Sequence, residues 1–172
     1  MSTLKVNTIQ DTSGNPRGFS AYAVISDQKA NGEDGGSSTQ GGWRTRDLNT
    51  ELHDPSGIVS ISSNQFTLQA GTYLIQWVCP AYATNRHRSR CYNATDGTDV
   101  DGHNAYIRDS DGSSSSGWAR FSITSAKVFE IQHQVGASKE GNGFGVETIY
   151  SPWSEGGGSN QETFTVVAIF KQ

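Results

Sequence analysis

The chain is short of most of the residues that would tie it to a familiar chemistry. Cysteine occurs twice, methionine once and proline four times in 172 residues. Two cysteines cannot make a stapled scaffold, and a chain of this length buries a sizeable core without one. Charged residues make up only 17%, with a net charge of −4 and a pI near 5.5, so the basic excess of a general nucleic-acid binder is missing. No stretch approaches the ~20 apolar residues of a membrane span. Residues 1–18 lack the apolar core of a secretion signal, which predicts a protein made and left in a cytoplasm. No apolar period of 3.6 persists, which argues against helices. Also missing are a G-x-S-x-G elbow, paired carboxylates on strands and a phosphate-binding loop. The expectation is a non-enzymatic protein with no cofactor.

Glycine, serine and aromatic residues are what the chain has in quantity: twenty Gly, and a tenth of all residues Phe, Trp or Tyr. That is the composition of a loop-rich, all-β domain. Its organising stretch is Asn64 to Val78, NQFTLQAGTYLIQWV. Phe66 and Leu68 alternate with polar neighbours, Ala70-Gly71 interrupts, and Tyr73, Ile75 and Trp77 resume the two-residue period. Two strands hinged on a glycine would each bury one face, and this cluster is the expected centre of a single core. An apolar strand, a glycine and then Tyr-x-Ile-x-Trp resembles the paired strands of the tumour necrosis factor and complement globular-head superfamily. The resemblance implies a two-sheet antiparallel jelly-roll sandwich that forms a homotrimer, with the last strand in the inner sheet near the threefold axis.

The first eighteen residues stand apart as an extended arm, with the jelly roll expected over 19–172. In STLKVNTIQDTSGN, Leu4, Val6 and Ile9 are too few to fold alone, since ordering costs about 1–2 kcal/mol per residue. They are read as an attachment arm that adds to another protein. The same opening resembles the N-terminal arms of tailed-bacteriophage fibre and other virion proteins, notably those of phages infecting cyanobacteria. That implies a virion protein assembled in the host cytoplasm, with other virion proteins as partners.

Within the domain, Phe19 to Gln28 is the expected first strand and Phe164 to Phe170 the last. Both are apolar on both faces, so Tyr22, Val24, Phe164, Val166 and Phe170 are the candidate trimer-interface residues. Ala30 to Gly42 reads as a flexible loop, and His53 as a solvated histidine at a turn. Thr84 to Arg90 reads as a basic hairpin tip, on which Arg86, His87, Arg88 and Arg90 either grip an anionic host glycan or pair with acidic loops of the protein. A hairpin bent at Asn85 would set Cys91 opposite Cys79, within reach of a bridge, but a reducing compartment favours two buried thiols. Asp99-Val-Asp101-Gly102 lacks the flanking ligands of a calcium loop, since Gly97 and Arg108 stand where oxygens are needed, and no metal site is expected. Ser113 to Gly117 reads as low complexity ahead of a strand from Trp118. His133 shares the core face of Phe129 and Ile131 and is expected to be a packing residue, while Gly141 to Gly145 is a turn. Trp153 is a candidate platform for a sugar. Together these features put a tail-fibre host-attachment knob first, with a capsid decoration protein as the alternative.

Overall fold

The computed structural model describes Thr12 and residues 18–108, 110–147 and 161–172. Leu4, Val6, Ile9 and Trp153 lie outside the described residues. Among the described residues the regular structure is eleven strands: β1 (Ala21–Ala30), β2 (Arg44–Thr45), β3 (Thr50–His53), β4 (Val59–Ser62), β5 (Gln65–Leu68), β6 (Gly71–Tyr82), β7 (Arg86–Asn93), β8 (Thr98–Tyr106), β9 (Gly112–Ile123), β10 (Lys127–Val135) and β11 (Gln161–Lys171). They form two antiparallel sheets packed as a jelly-roll sandwich. One has the order β3-β1-β11-β6-β9, and the other runs β4-β5-β10-β7-β8 with β2 added alongside β10.

The core follows from strand parity. Tyr73, Ile75, Trp77 and Cys79 of β6, Ala23 and Ile25 of β1, and Val167 and Ile169 of β11 point inward from the first sheet. Phe66 and Leu68 of β5, Cys91 of β7, and Phe129 and Ile131 of β10 meet them from the second. Phe66 stacks on Phe129 with ring centroids 5.5 Å apart, and Phe121 tilts onto Phe129 at 5.0 Å. The Trp77 indole N–H, which could not be buried without an acceptor, donates to Ser89 Oγ at 2.8 Å.

The two strands of the organising stretch sit in different sheets. β5 pairs with β4 and β10, whereas β6 pairs with β9 and β11, so the chain crosses between layers at Gln69–Ala70. Alternation alone cannot tell a hairpin from a crossover, because both bury the same faces. The adjoining β4–β5 connection is a true two-residue hairpin. Ser63 and Asn64 adopt φ of 52° and 64°, and Asn64 Oδ1 accepts from the Leu48 N–H at 3.3 Å.

Three other expectations change. The serine run is not a loop: β9 begins at Gly112, and Ser113 to Ser116 pair with Ala81 to Val78 of β6. Gly117, in the same strand, leaves room for the indole, since a Cβ there would stand 2.3 Å from Trp77 Cζ2. The loop from Ala30 to Gly42 is fastened by main-chain hydrogen bonds rather than free. Gly35 N donates to Gly145 O, Phe144 N to Gly36 O, and Ser38 exchanges both bonds with Lys139. Cys79 and Cys91 are not ladder partners, since Cys79 pairs with Ser115 and Cys91 with Ile131 and Val100. Both thiols are free and buried, and burial pushes the Cys79 thiol up to about 11.

Candidate ligand-binding surface

The basic segment is strand β7, not a hairpin tip, because the turn is confined to residues 83–85, with φ of 51° at Ala83 and 66° at Asn85. Alternation then separates the four candidate ligands. His87, Ser89 and Cys91 face the interior, while Arg86, Arg88 and Arg90 face out. His87 is 4% exposed with its side chain on the inward face of the strand, although the residue lines the groove described below. The arginines differ as well. Arg88 pairs with Asp101 at 3.0 Å, while Arg90 pairs with Asp99 at 3.2 Å and donates to Gln132 Oε1. Arg90 also lies over the rings of Trp43 and Tyr92, at 4.2 Å and 4.8 Å. Arg86 forms no ion pair among the described residues. Asp99 and Asp101 are therefore strand residues of β8 turned toward arginines.

Inside, His87 ends a hydrogen-bonded chain that the sequence did not announce. Arg46, between β2 and β3, is fully buried; its Nε donates to Thr165 Oγ1, Nη1 to Pro80 O and Nη2 to Phe144 O, all within 2.8–2.9 Å. The guanidinium also lies 4.2 Å over the Phe144 ring. No described carboxylate forms an ion pair with it, although Asp27 and Asp47 act on it at longer range. Arg46 Nη1 approaches His133 Nδ1 at 3.3 Å, and an arginine can only donate. The His133 proton must then sit on Nε2, which donates to His87 Nδ1 at 2.8 Å, and His87 Nε2–H donates to Ser113 Oγ at 2.8 Å. A further proton on either ring would set two N–H groups against each other and add a cation near Arg46. Burial, with the nearby charges of His103 and Arg46, accordingly pushes His87 down to about 4, and burial lowers His133 well below its ordinary value. His133 is thus a satisfied interior residue, as its parity predicts. The signal for Arg46 was its two-residue spacing from buried Leu48, hidden by the polar run around it.

The outer face of β7 and β8 carries a groove of about 880 Å³. Register builds it: Arg86 stands opposite Tyr106, Arg88 opposite Asn104, and Gln134 of β10 opposite Arg88. Gln40, Gly41 and Gly136 complete one wall. Tyr106 is 60% exposed.

The outer face of the first sheet is of another kind. Tyr22 and Phe170 are register partners, as are Val24 and Ala168, and Phe19 packs on Phe170 at 4.9 Å. Trp118 and Val78 extend the exposed apolar area across β9 and β6, and Tyr22 stacks on the exposed His53. Val166 is half-buried on β11. Phe164 departs from this set. A register irregularity between Ser26 and Gln28 turns it inward, against positions where Gly35 and Gly145 leave room for its ring.

No protein-family model matches the chain, and no curated protein matches it in sequence. Solved structures do match in shape. The globular domain of zebrafish complement 1qA is similar at TM-score 0.52 and 14% identity, over 88% of this chain and 96% of that one. Murine APRIL is similar at TM-score 0.53 and 8% identity, over 88% and 98%. The chain shares the jelly-roll fold of these two domains. At these identities the likeness is one of fold. The PRD1 vertex protein P5, at TM-score 0.49 and 13% identity over 90% and 99%, is too distant in shape to add to it.

Proposed function

We propose that the chain is a non-enzymatic bacteriophage virion protein: a homotrimeric surface knob, joined to the particle through its N-terminal arm, that serves in host attachment on a tail fibre. The observation that carries this reading is the division of the outer faces. One sheet displays Phe19, Tyr22, Val78 and Trp118 with Val24 and Phe170, the composition of a self-association surface, while the other displays arginines, amides and aromatic rings around a groove. The resemblance of residues 2–15 to phage virion arms supports the particle as the destination. Association through the apolar sheet leaves the grooved sheet free to face outward.

Deleting residues 2–15 is expected to leave trimerisation and thermal stability nearly unchanged and to abolish incorporation into particles. The comparison is made by complementing a phage lacking the protein with full-length and truncated forms and probing purified virions. Truncated protein at normal occupancy would show that the globular domain is the attachment device. Immunogold labelling of full-length particles then separates the roles: label at tail tips supports host attachment, and label spread over heads replaces it with capsid decoration.

A further inference from the structure

The groove on β7 and β8 has a composition that selects among ligands. Its rim carries Arg86, unpaired among the described residues, beside the exposed ring of Tyr106, its cross-strand partner. Gln134, Asn104 and Gln40 bring side-chain amides to the same concavity. Arg88 also lines it, but its charge is already matched by Asp101. The backbone beneath Arg86 is held on two sides. Arg86 N donates to Asn85 Oδ1 at 2.8 Å, and Arg86 O accepts from Gly136 N at 2.7 Å. The guanidinium therefore projects from a fixed point.

We propose that this groove binds a carboxylated sugar within a glycan, the guanidinium of Arg86 taking the carboxylate, the Tyr106 ring carrying the apolar face of the pyranose, and the amides of Gln134, Asn104 and Gln40 taking hydroxyls. A single uncompensated cation suits one carboxylate and not a polyanion, which would find no further free charge here and a protein of net charge −4 around it. Amides that both donate and accept are matched to hydroxyls, and a ring standing at a rim to one face of a sugar. The proposal rests on the attachment reading and names the ligand class of that surface.

The test titrates full-length protein by NMR or calorimetry with tetrasaccharides containing glucuronate, galacturonate or mannuronate, and with each after reduction of its carboxyl groups to alcohols. At least one uronate probe is expected to bind in the millimolar range or better, and its reduced form about tenfold or more weakly. Arg86→Gln and Tyr106→Ala should each weaken the uronate about tenfold or more, while Arg120→Gln on the opposite sheet should not. Melting curves exclude misfolding as the cause. Equal binding of the reduced form, undiminished binding by Arg86→Gln, or no binding of any uronate would overturn the proposal. Competition with phage adsorption separates the two readings. Protein that competes equally well with and without Arg86 leaves attachment standing and removes the groove. Protein that binds uronate through Arg86 yet never competes does the reverse.

Discussion

Around Trp77 the sandwich is filled by Phe66, Leu68, Tyr73, Ile75, Phe129 and Ile131, whereas beyond Cys79 the same two sheets close over Arg46, His133 and His87. The same strands β6 and β10 supply residues to both ends. What differs is how each end is held. The first is stabilised by area and shape, which carry no direction and no dependence on protonation. The second is held by a directional chain of donors and acceptors in which every proton has one permitted place. One fold thus has a robust end and an end whose integrity depends on solution conditions.

The comparison can be broken from either side, and the largest effect is expected at the apolar end. Trp77→Ala should cost about 3–5 kcal/mol, through lost transfer energy and the cavity left behind. Equilibrium denaturation measures it, and a loss under about 1 kcal/mol would mean that the indole does not centre the core. At the polar end, acid should act where it leaves the apolar end untouched. Between 6.5, the ordinary histidine value, and about 4, the unfolded chain binds a proton on His87 that the folded chain refuses. The stability due to neutral His87 is therefore complete above the upper value and falls as pH drops toward the lower, by about 3 kcal/mol in all. His133 acts in the same direction. Asp27, raised by burial, opposes the trend in the carboxylate range, while Glu130, which is lowered, reinforces it at lower pH. Chemical denaturation across this pH range should give a flatter profile for His87→Gln than for the wild type, and identical profiles would show that His87 is not held neutral. The smallest effect is expected for Arg46→Met, about 1–3 kcal/mol. It orphans the acceptors at Pro80, Phe144 and Thr165, and the loss is partly offset because a desolvated cation is also removed. A gain in urea midpoint would mean that water replaces the guanidinium without cost.

The apolar end was legible in the sequence because alternation of large side chains states which face is inside. Phe66, Tyr73, Ile75, Trp77, Phe129 and Ile131 all lie where that alternation puts them. The polar end was not, because alternation is silent when the inward residues are His87, Ser89 and Arg46, and a run of charges reads as solvated. The same silence hid β9 under its serines, whose place is fixed by neighbours distant in sequence, Gly117 against Trp77 above all. Of the groove, Arg86, His87 and Arg88 were named from sequence, but Tyr106, Asn104 and Gln134 join it only through the β7–β8 and β10–β7 registers, which no local pattern encodes.

The pairing of β1 with β11 has a consequence in time. Tyr22 lies opposite Phe170 and Ala23 opposite Ile169, and Ser20 N donates to Lys171 O at 2.7 Å across 151 residues of chain. On a ribosome adding roughly 5–20 residues each second, β1 must wait several seconds or more for its partner. During that wait its neighbour can only be β3, reached through residues 31–49, which include β2. The sheet β3-β1-β11-β6-β9 cannot close until β11 has emerged and inserted between β1 and β6, which is the kind of long-range pairing that slows folding. Through that interval the apolar outer residues of β1 are available to other nascent copies before the sandwich is closed. Synthesis at low temperature or in the presence of chaperones is thus expected to favour folded protein over aggregates.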